Sequence, residues 1–276
     1  MIARDIMNED VITVSIPGSR DEVLDVLKEH GISGVPVLKD GTLVGIITRK
    51  DILNNPEEEQ IALLMTRNPI VVDPNVDITE VVEVLIKSNI RRIPVVEDSK
   101  LVGIITVADV VKAMAEMDID KRAGDFISEY TCPVWEETPL NVIVEIMRLG
   151  RSEALPVLDS RGKLSGIIDE KGIINLISLE DLVEKSDYSQ AGGDDEWTWE
   201  GLRDYTRKYF EVTVIRLPDE PVKNVMSEAV SVYPQVSVVE CAKKMVKTKI
   251  DYLAVITPEE NLLGLLFDRN LIRAIL

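Results

Sequence analysis

Histidine, cysteine, aromatic and basic residues are all scarce in this chain, and each shortage removes a class of function. There is one histidine, His30, and there are two cysteines, Cys132 and Cys241, in 276 residues. With so few nitrogen and sulfur ligands, zinc hydrolysis and Ser-His-Asp catalysis lack raw material, and no metal is expected. His30 lies in LKEHGIS, at the end of a helical pattern and before Gly31, where a cation suits a helix C-terminus. The cysteines are 109 residues apart and outside any CxxC pattern, so both read as small buried hydrophobes. Aromatic residues make up 4% of the chain, too few for stacking platforms along a single strand. Basic residues number 31 against 49 acids, and a net charge of −18 repels a phosphate backbone. No apolar run approaches the roughly 20 residues that cross a bilayer, and MIARDIMNED is not a signal peptide. Neither GxxxxGK[ST] nor GxGxxG after a strand occurs. Carboxylates are too plentiful for any chance pair to mark glycosidase chemistry. The composition points away from an enzyme, a membrane protein and a nucleic-acid binder, and toward a soluble cytoplasmic protein.

What the chain has instead is self-similarity. Residues 31–53 read GISGVPVLKDGTLVGIITRKDIL and residues 89–111 read NIRRIPVVEDSKLVGIITVADVV. Pro36 and Pro94, Gly45 and Gly103, and Asp51 and Asp109 are each 58 residues apart. A third copy, SEALPVLDSRGKLSGIIDEKGIINLI, spans 152–177, and a more divergent fourth, DYLAVITPEENLLGLLFDRNLIRAIL, spans 251–276. Gly166 and Gly264 take the glycine position there. In each copy a short β-rich segment precedes a helical pattern, then two β-branched runs around a polar turn, then a second short helix. Ser19-x-x-Glu22, Asp77-x-x-Glu80 and Ser237-x-x-Glu240 have capping-box spacing, and Thr138-Pro139 opens the corresponding helix of copy three. The fold class is therefore α/β (α+β), built from β-α-β-β-α units. A unit of about 55 residues buries little apolar area alone, so the units must pair.

This pattern resembles the cystathionine-β-synthase (CBS) domains, on the strength of GIIT-x-x-D, [IV]PV and the four-fold repeat. The resemblance implies tandem pairs called Bateman modules, two of which can pack as a disk, as in the γ subunit of AMP-activated protein kinase. The expected divisions are 1–58 and 59–122 as the first module, 123–178 and 221–276 as the second, and an insert over 179–220. In the family, the Thr and Asp of GIIT-x-x-D face a nucleoside, the Asp accepting from both ribose hydroxyls. Thr48 with Asp51 and Thr106 with Asp109 keep this pattern; copy three has Asp169 and Gly172, and copy four Phe267 and Asn270. The resemblance thus implies two competent clefts in the first module and degraded clefts in the second. The residues alone leave a second reading open, in which Asp51 and Asp109 only cap their helices.

Arg91 and Arg92 form a pair that the other copies lack, standing where relatives that bind adenine nucleotides often carry basic residues toward the phosphates. Guanidinium forks match phosphate oxygens and stay charged. The resemblance places both arginines at the cleft of Asp51, with Lys50 beside them; a surface ion pair is the competing reading. The adenine is expected between Ile46, Ile70 and Val71 in the first cleft, and between Ile104, Ile12 and Thr13 in the second. The implied ligands are AMP, ADP or ATP, with S-adenosylmethionine or methylthioadenosine as the alternative, and the implied role is a non-catalytic sensor acting on a regulated protein that the sequence does not identify. An assembly subunit with vestigial clefts and a homodimer through module packing both stay open.

The insert holds six of the twelve aromatics: Tyr188, Trp197, Trp199, Tyr205, Tyr209 and Phe210. SDYSQAGGDDE reads as a flexible acidic loop, 195–209 as an amphipathic helix and FEVTVIRL as a strand. Its aromatics either fill a cleft of the second module or form a patch for a partner protein.

Overall fold

A computed structural model describes residues 1–55, 58–176, 178–185, 209–216 and 218–276. The helix-hairpin-helix body of each copy forms where the sequence pattern places it. In copy one the helix Arg20–Glu29 starts at Ser19, whose Oγ accepts from the Glu22 amide at 3.3 Å while the Glu22 carboxylate accepts from the Ser19 amide. It stops at His30, and Gly31 follows with φ +64°, a conformation that glycine adopts without steric cost. Copy two opens its helix Ile78–Lys87 at Asp77, which caps the Thr79 amide rather than forming a box with Glu80. Ser237 accepts from the Glu240 amide at the head of Val238–Thr248 in copy four. In copy three Pro139 is itself the cap, and the helix Leu140–Gly150 begins one residue after it.

The hairpins follow. Gly34–Lys39 pairs antiparallel with Thr42–Thr48, matching Pro36 to Ile46; Arg92–Glu97 pairs with Lys100–Thr106, matching Pro94 to Ile104. Alternation along the strands sends Val35, Val37 and Ile47 fully into the core of copy one, and Ile93, Val95 and Ile105 into that of copy two. Ile46 and Ile104 thereby fall on the other face, only partly buried.

The copies complete one another through their leading segments. Residues 1–8 lie on copy two: Ala3 is buried in its core, and Asn8 exchanges backbone hydrogen bonds with Ile104. Residues 60–67 lie on copy one, with Ile61 and Leu64 in its core and Thr66 paired to Ile46. A methionine seats both of these crossings. An added Cβ on Gly45 would come within 2.5 Å of Met65 Sδ, and one on Gly103 within 2.5 Å of Met7 Sδ.

The chain divides into two compact units. One comprises Met1–Tyr130 and Val230–Leu276, so copies one and two and the body of copy four belong together; the other comprises Thr131–Ala229. In the first unit, Ala123 donates to the Val236 carbonyl and Ser128 to that of Leu265, so the segment leading into copy three lies on copy four. There too the helix Val238–Thr248 packs on Val107–Met114 of copy two, and both copies share one apolar core. In the second unit, the segment leading into copy four lies on copy three: Val222 is fully buried and Ser227 exchanges hydrogen bonds with Ile167. The unit boundaries fall after these exchanged segments.

The expected strand over FEVTVIRL is present as Tyr209–Arg216, paired antiparallel with Ser178–Lys185 in a two-stranded ribbon. Its partner strand was not expected from the sequence. The acidic loop and the helix over 195–209 lie outside the described residues, except Tyr209, which begins the strand. One expectation for the cysteines fails: Cys241 is buried, but Cys132 is exposed. Burial pushes the Cys241 thiol up to about 11 and keeps it protonated.

Candidate functional site

The two GIIT-x-x-D segments adopt the same local structure. Thr48 caps the helix Arg49–Asn54, and Asp51 Oδ2 accepts from the Thr48 amide at 2.8 Å and from Thr48 Oγ1 at 2.6 Å. Thr106 caps Val107–Met114, and Asp109 Oδ2 accepts from the Thr106 amide and hydroxyl at the same two distances. The capping role weighed for these carboxylates is therefore present. It engages one oxygen of each; both side chains are partly buried, and Oδ1 of each carries no hydrogen bond among the described residues. A carboxylate fixed by one oxygen with the other free can still accept from a ligand hydroxyl.

Arg91 and Arg92 part company. Successive residues at the start of a strand point to opposite sides, so adjacent arginines cannot easily serve one cleft. Arg92 turns toward copy one: Nη2 donates to Ser33 Oγ at 2.5 Å, and Nη1 is buried with no hydrogen-bond partner among the described residues. It sits directly over Gly34, where an added Cβ would lie 1.6 Å from Nη1. Burial first, then the charges of Arg91 and Arg49, bring the Arg92 guanidinium down to about 10 against the opposing pull of Asp51. Arg92, Arg49 and Asp51 thus share one electrostatic neighbourhood. Arg91, expected there too, instead reaches copy four. Its Nη2 donates to Asp268 Oδ2 at 2.7 Å and to Asp251 Oδ2 at 3.3 Å, and its Nη1 to Asp268 Oδ1 at 3.3 Å. Lys50 is exposed.

The apolar residues of both expected clefts lie where the exchanged segments cross between copies. Residues 66–68 run along the strand of Ile46, and Val72 then joins the strand of Pro94. Ile70 and Val71, both exposed, span the gap between these contacts. Related by the repeat, Asn8 pairs with Ile104 and Val14 with Val37, which leaves Ile12 and Thr13 on the second crossing. A depression of about 700 Å³ lies between the two hairpin turns, near Asp40 and Asp98; Thr13 alone of the expected site residues lines it.

The corresponding positions of copies three and four are built differently. Asp169 caps its own helix by accepting from the Gly172 amide at 2.7 Å. In copy four the Phe267 ring packs edge-on against Tyr252 with centroids 6.5 Å apart, occupying the place of the threonine. Three residues went unrecognised in the sequence: Ser33, Arg49 and Asp268. Arg49 was visible as a fourth cation, directly before Lys50. Asp268 carried no signal, because its partner lies 177 residues away. No group of three or more His, Cys, Asp or Glu side chains placed to hold a metal occurs among the described residues.

Comparison with known proteins agrees with this architecture. The CBS domain family matches residues 3–58, 59–116, 124–185 and 222–276. Protein MJ1225 of Methanocaldococcus jannaschii is 30% identical over 190 residues, covering 62% of this chain and 68% of that protein. Its crystal structure, described as that of a candidate archaeal homologue of g-AMPK, superposes over the full length of both chains at a TM-score of 0.73 and 21% identity. An uncharacterised conserved protein from Pyrococcus horikoshii superposes over the full length of both at 0.71 and 27% identity. Inosine-5'-monophosphate dehydrogenase of Korarchaeum cryptofilum is 39% identical over 103 residues, 37% of this chain but only 22% of that enzyme. The repeat, the exchanged segments and these likenesses lead to one assignment: the chain belongs to the CBS domain family and carries four copies of the domain in tandem.

Proposed function

We propose that the chain is a non-catalytic regulatory sensor that binds an adenine nucleotide, AMP, ADP or ATP, between copies one and two (1–58 and 59–122). The observation that carries this reading is the Arg92 guanidinium, held over Gly34 beside Asp51 and Arg49 with a buried Nη1 that finds no acceptor among the described residues. A buried donor without a partner is costly, and a phosphate oxygen is the acceptor that a guanidinium fits best. In this reading Asp51 Oδ1 accepts from the ribose, Ile46, Ile70 and Val71 flank the base, and Arg92 with Arg49 meets the phosphate. The likeness to MJ1225, described as a candidate archaeal homologue of g-AMPK, is consistent with a regulatory role.

The second cleft favours a different ligand. Where copy one has Arg49 and Lys50 after its threonine, copy two has the buried Val107 and then Ala108. With Thr106, Asp109, Ile104, Ile12 and Thr13 but no cation at these two positions, it suits an uncharged or cationic adenosyl compound such as methylthioadenosine or S-adenosylmethionine.

Thermal shift and titration calorimetry with AMP, ATP, adenosine and S-adenosylmethionine test both readings. AMP should raise the melting temperature, and Arg92→Ala should weaken AMP much more than adenosine. Equal weakening of the two would remove the phosphate role, and no stabilisation by any of the four at millimolar concentration would remove the sensor reading.

A further inference from the structure

Copy four presents its charges to the same arginine pair from the other side. By the repeat alignment Asp251 stands where copy one has Ser33, and Asp268 where it has Arg49. Arg92 reaches Ser33, and Arg91 reaches Asp251 and the buried Asp268. A second contact runs parallel: Arg269 Nη1 donates to Asn89 Oδ1 at 2.6 Å. Copy two therefore offers two adjacent guanidinium groups, one to the expected anion site and one to two carboxylates of copy four.

We propose that anion binding at Arg92 and the seating of copy four on copy two oppose each other, with Arg91 as the coupling residue. This rests on reading the Asp51 cleft as a nucleotide site. The sign follows from the charges. Arg91 and Arg92 together attract Asp251 and Asp268; a phosphate beside Arg92 repels both carboxylates and attracts Arg91 away from them. The attraction that holds copy four is weakened by any bound anion and untouched by a neutral nucleoside. Linkage makes the effect reciprocal, so removing a carboxylate from copy four must strengthen anion binding by the same factor. Arg91 acts through these carboxylates as a positioning residue and need not touch the ligand.

Asp251→Asn is the informative variant, because that side chain is 63% exposed and its substitution removes a surface charge without touching the apolar core. Titration calorimetry on the full chain should give AMP binding tightened about threefold to tenfold by Asp251→Asn, from one charge removed at short range, with adenosine unchanged. Amide exchange over 268–275 in the unsubstituted protein should speed up with AMP and not with adenosine. An unchanged ratio of AMP to adenosine affinity in Asp251→Asn, or slower exchange with AMP, overturns the coupling while leaving the nucleotide reading in place. Failure of the unsubstituted protein to bind AMP or adenosine overturns both.

Discussion

Gly34 and Arg92 together carry the proposed anion site, and neither is informative without the other. The guanidinium can lie across the start of the copy-one hairpin only because residue 34 has no side chain. A methyl group there would lie 1.6 Å from Arg92 Nη1 and 2.8 Å from the Ile47 carbonyl oxygen. Gly34→Ala must therefore expel the Arg92 side chain or shift the strand. We expect it to cost about 1–3 kcal/mol in denaturant unfolding, typical of an overpacked site. It should abolish the preference for AMP over adenosine; a variant that keeps that preference would show that Arg92 binds from another position. The arginine pair was conspicuous in the sequence, set in an apolar context in a chain of net charge −18. Its division between two copies was not. Strand geometry requires adjacent side chains to diverge, but only the fold reveals that Asp268 waits on the far side.

At the level of elements, the repeat grammar made the helices and hairpins legible. Pro, turn, glycine and helix recur at fixed spacing, and local hydrogen bonding builds what that spacing suggests. The exchange of leading segments was illegible for a physical reason. A crossing segment such as 60–67 is held by contacts with a copy that precedes it in sequence, and its own periodicity is too short to say so. The trace that could have been read is the methionine, in DIMNE, LLMTR and NVMSE, matched to the glycine of each hairpin; the fourth segment has Ile127 there. Met226 meets Gly166 as Met65 meets Gly45 and Met7 meets Gly103. Because Met7 and Met65 are partly buried in equivalent seats, Met7→Ala and Met65→Ala should destabilise by similar amounts, about 1–3 kcal/mol in urea unfolding. A loss confined to one of them would mean that only one crossing bears on stability. The insert marks the opposite limit: FEVTVIRL alternates clearly enough to be read as a strand, whereas its partner Ser178–Lys185, rich in acids, is not.

At the scale of the whole molecule, an excess of 18 negative charges makes acid titration a readout of stability. Most shifted carboxylates here, such as Asp77 and Asp159, are held low by hydrogen bonds and contribute stability that is lost as pH falls. Asp268 behaves in the reverse sense. Burial raises it from 3.8 to about 6, against the pull of Arg91 and with a further push from the Asp251 charge. Its folded-state value lies above its unfolded one, so its contribution is fully present below about 4 and is lost as pH rises through about 6. General relief of charge repulsion on acidification is common to the protein and any single variant, and subtraction removes it. Asp268→Asn cannot ionise. Its stability minus that of the unsubstituted protein should therefore climb between pH 4 and 6 and level off above that. Arg91 left facing a neutral amide sets the height of this difference curve but not its slope. A difference that falls with rising pH would mean that the Arg91 charge outweighs burial and holds Asp268 below its ordinary value. Urea unfolding of the two proteins across this pH range decides between the two signs.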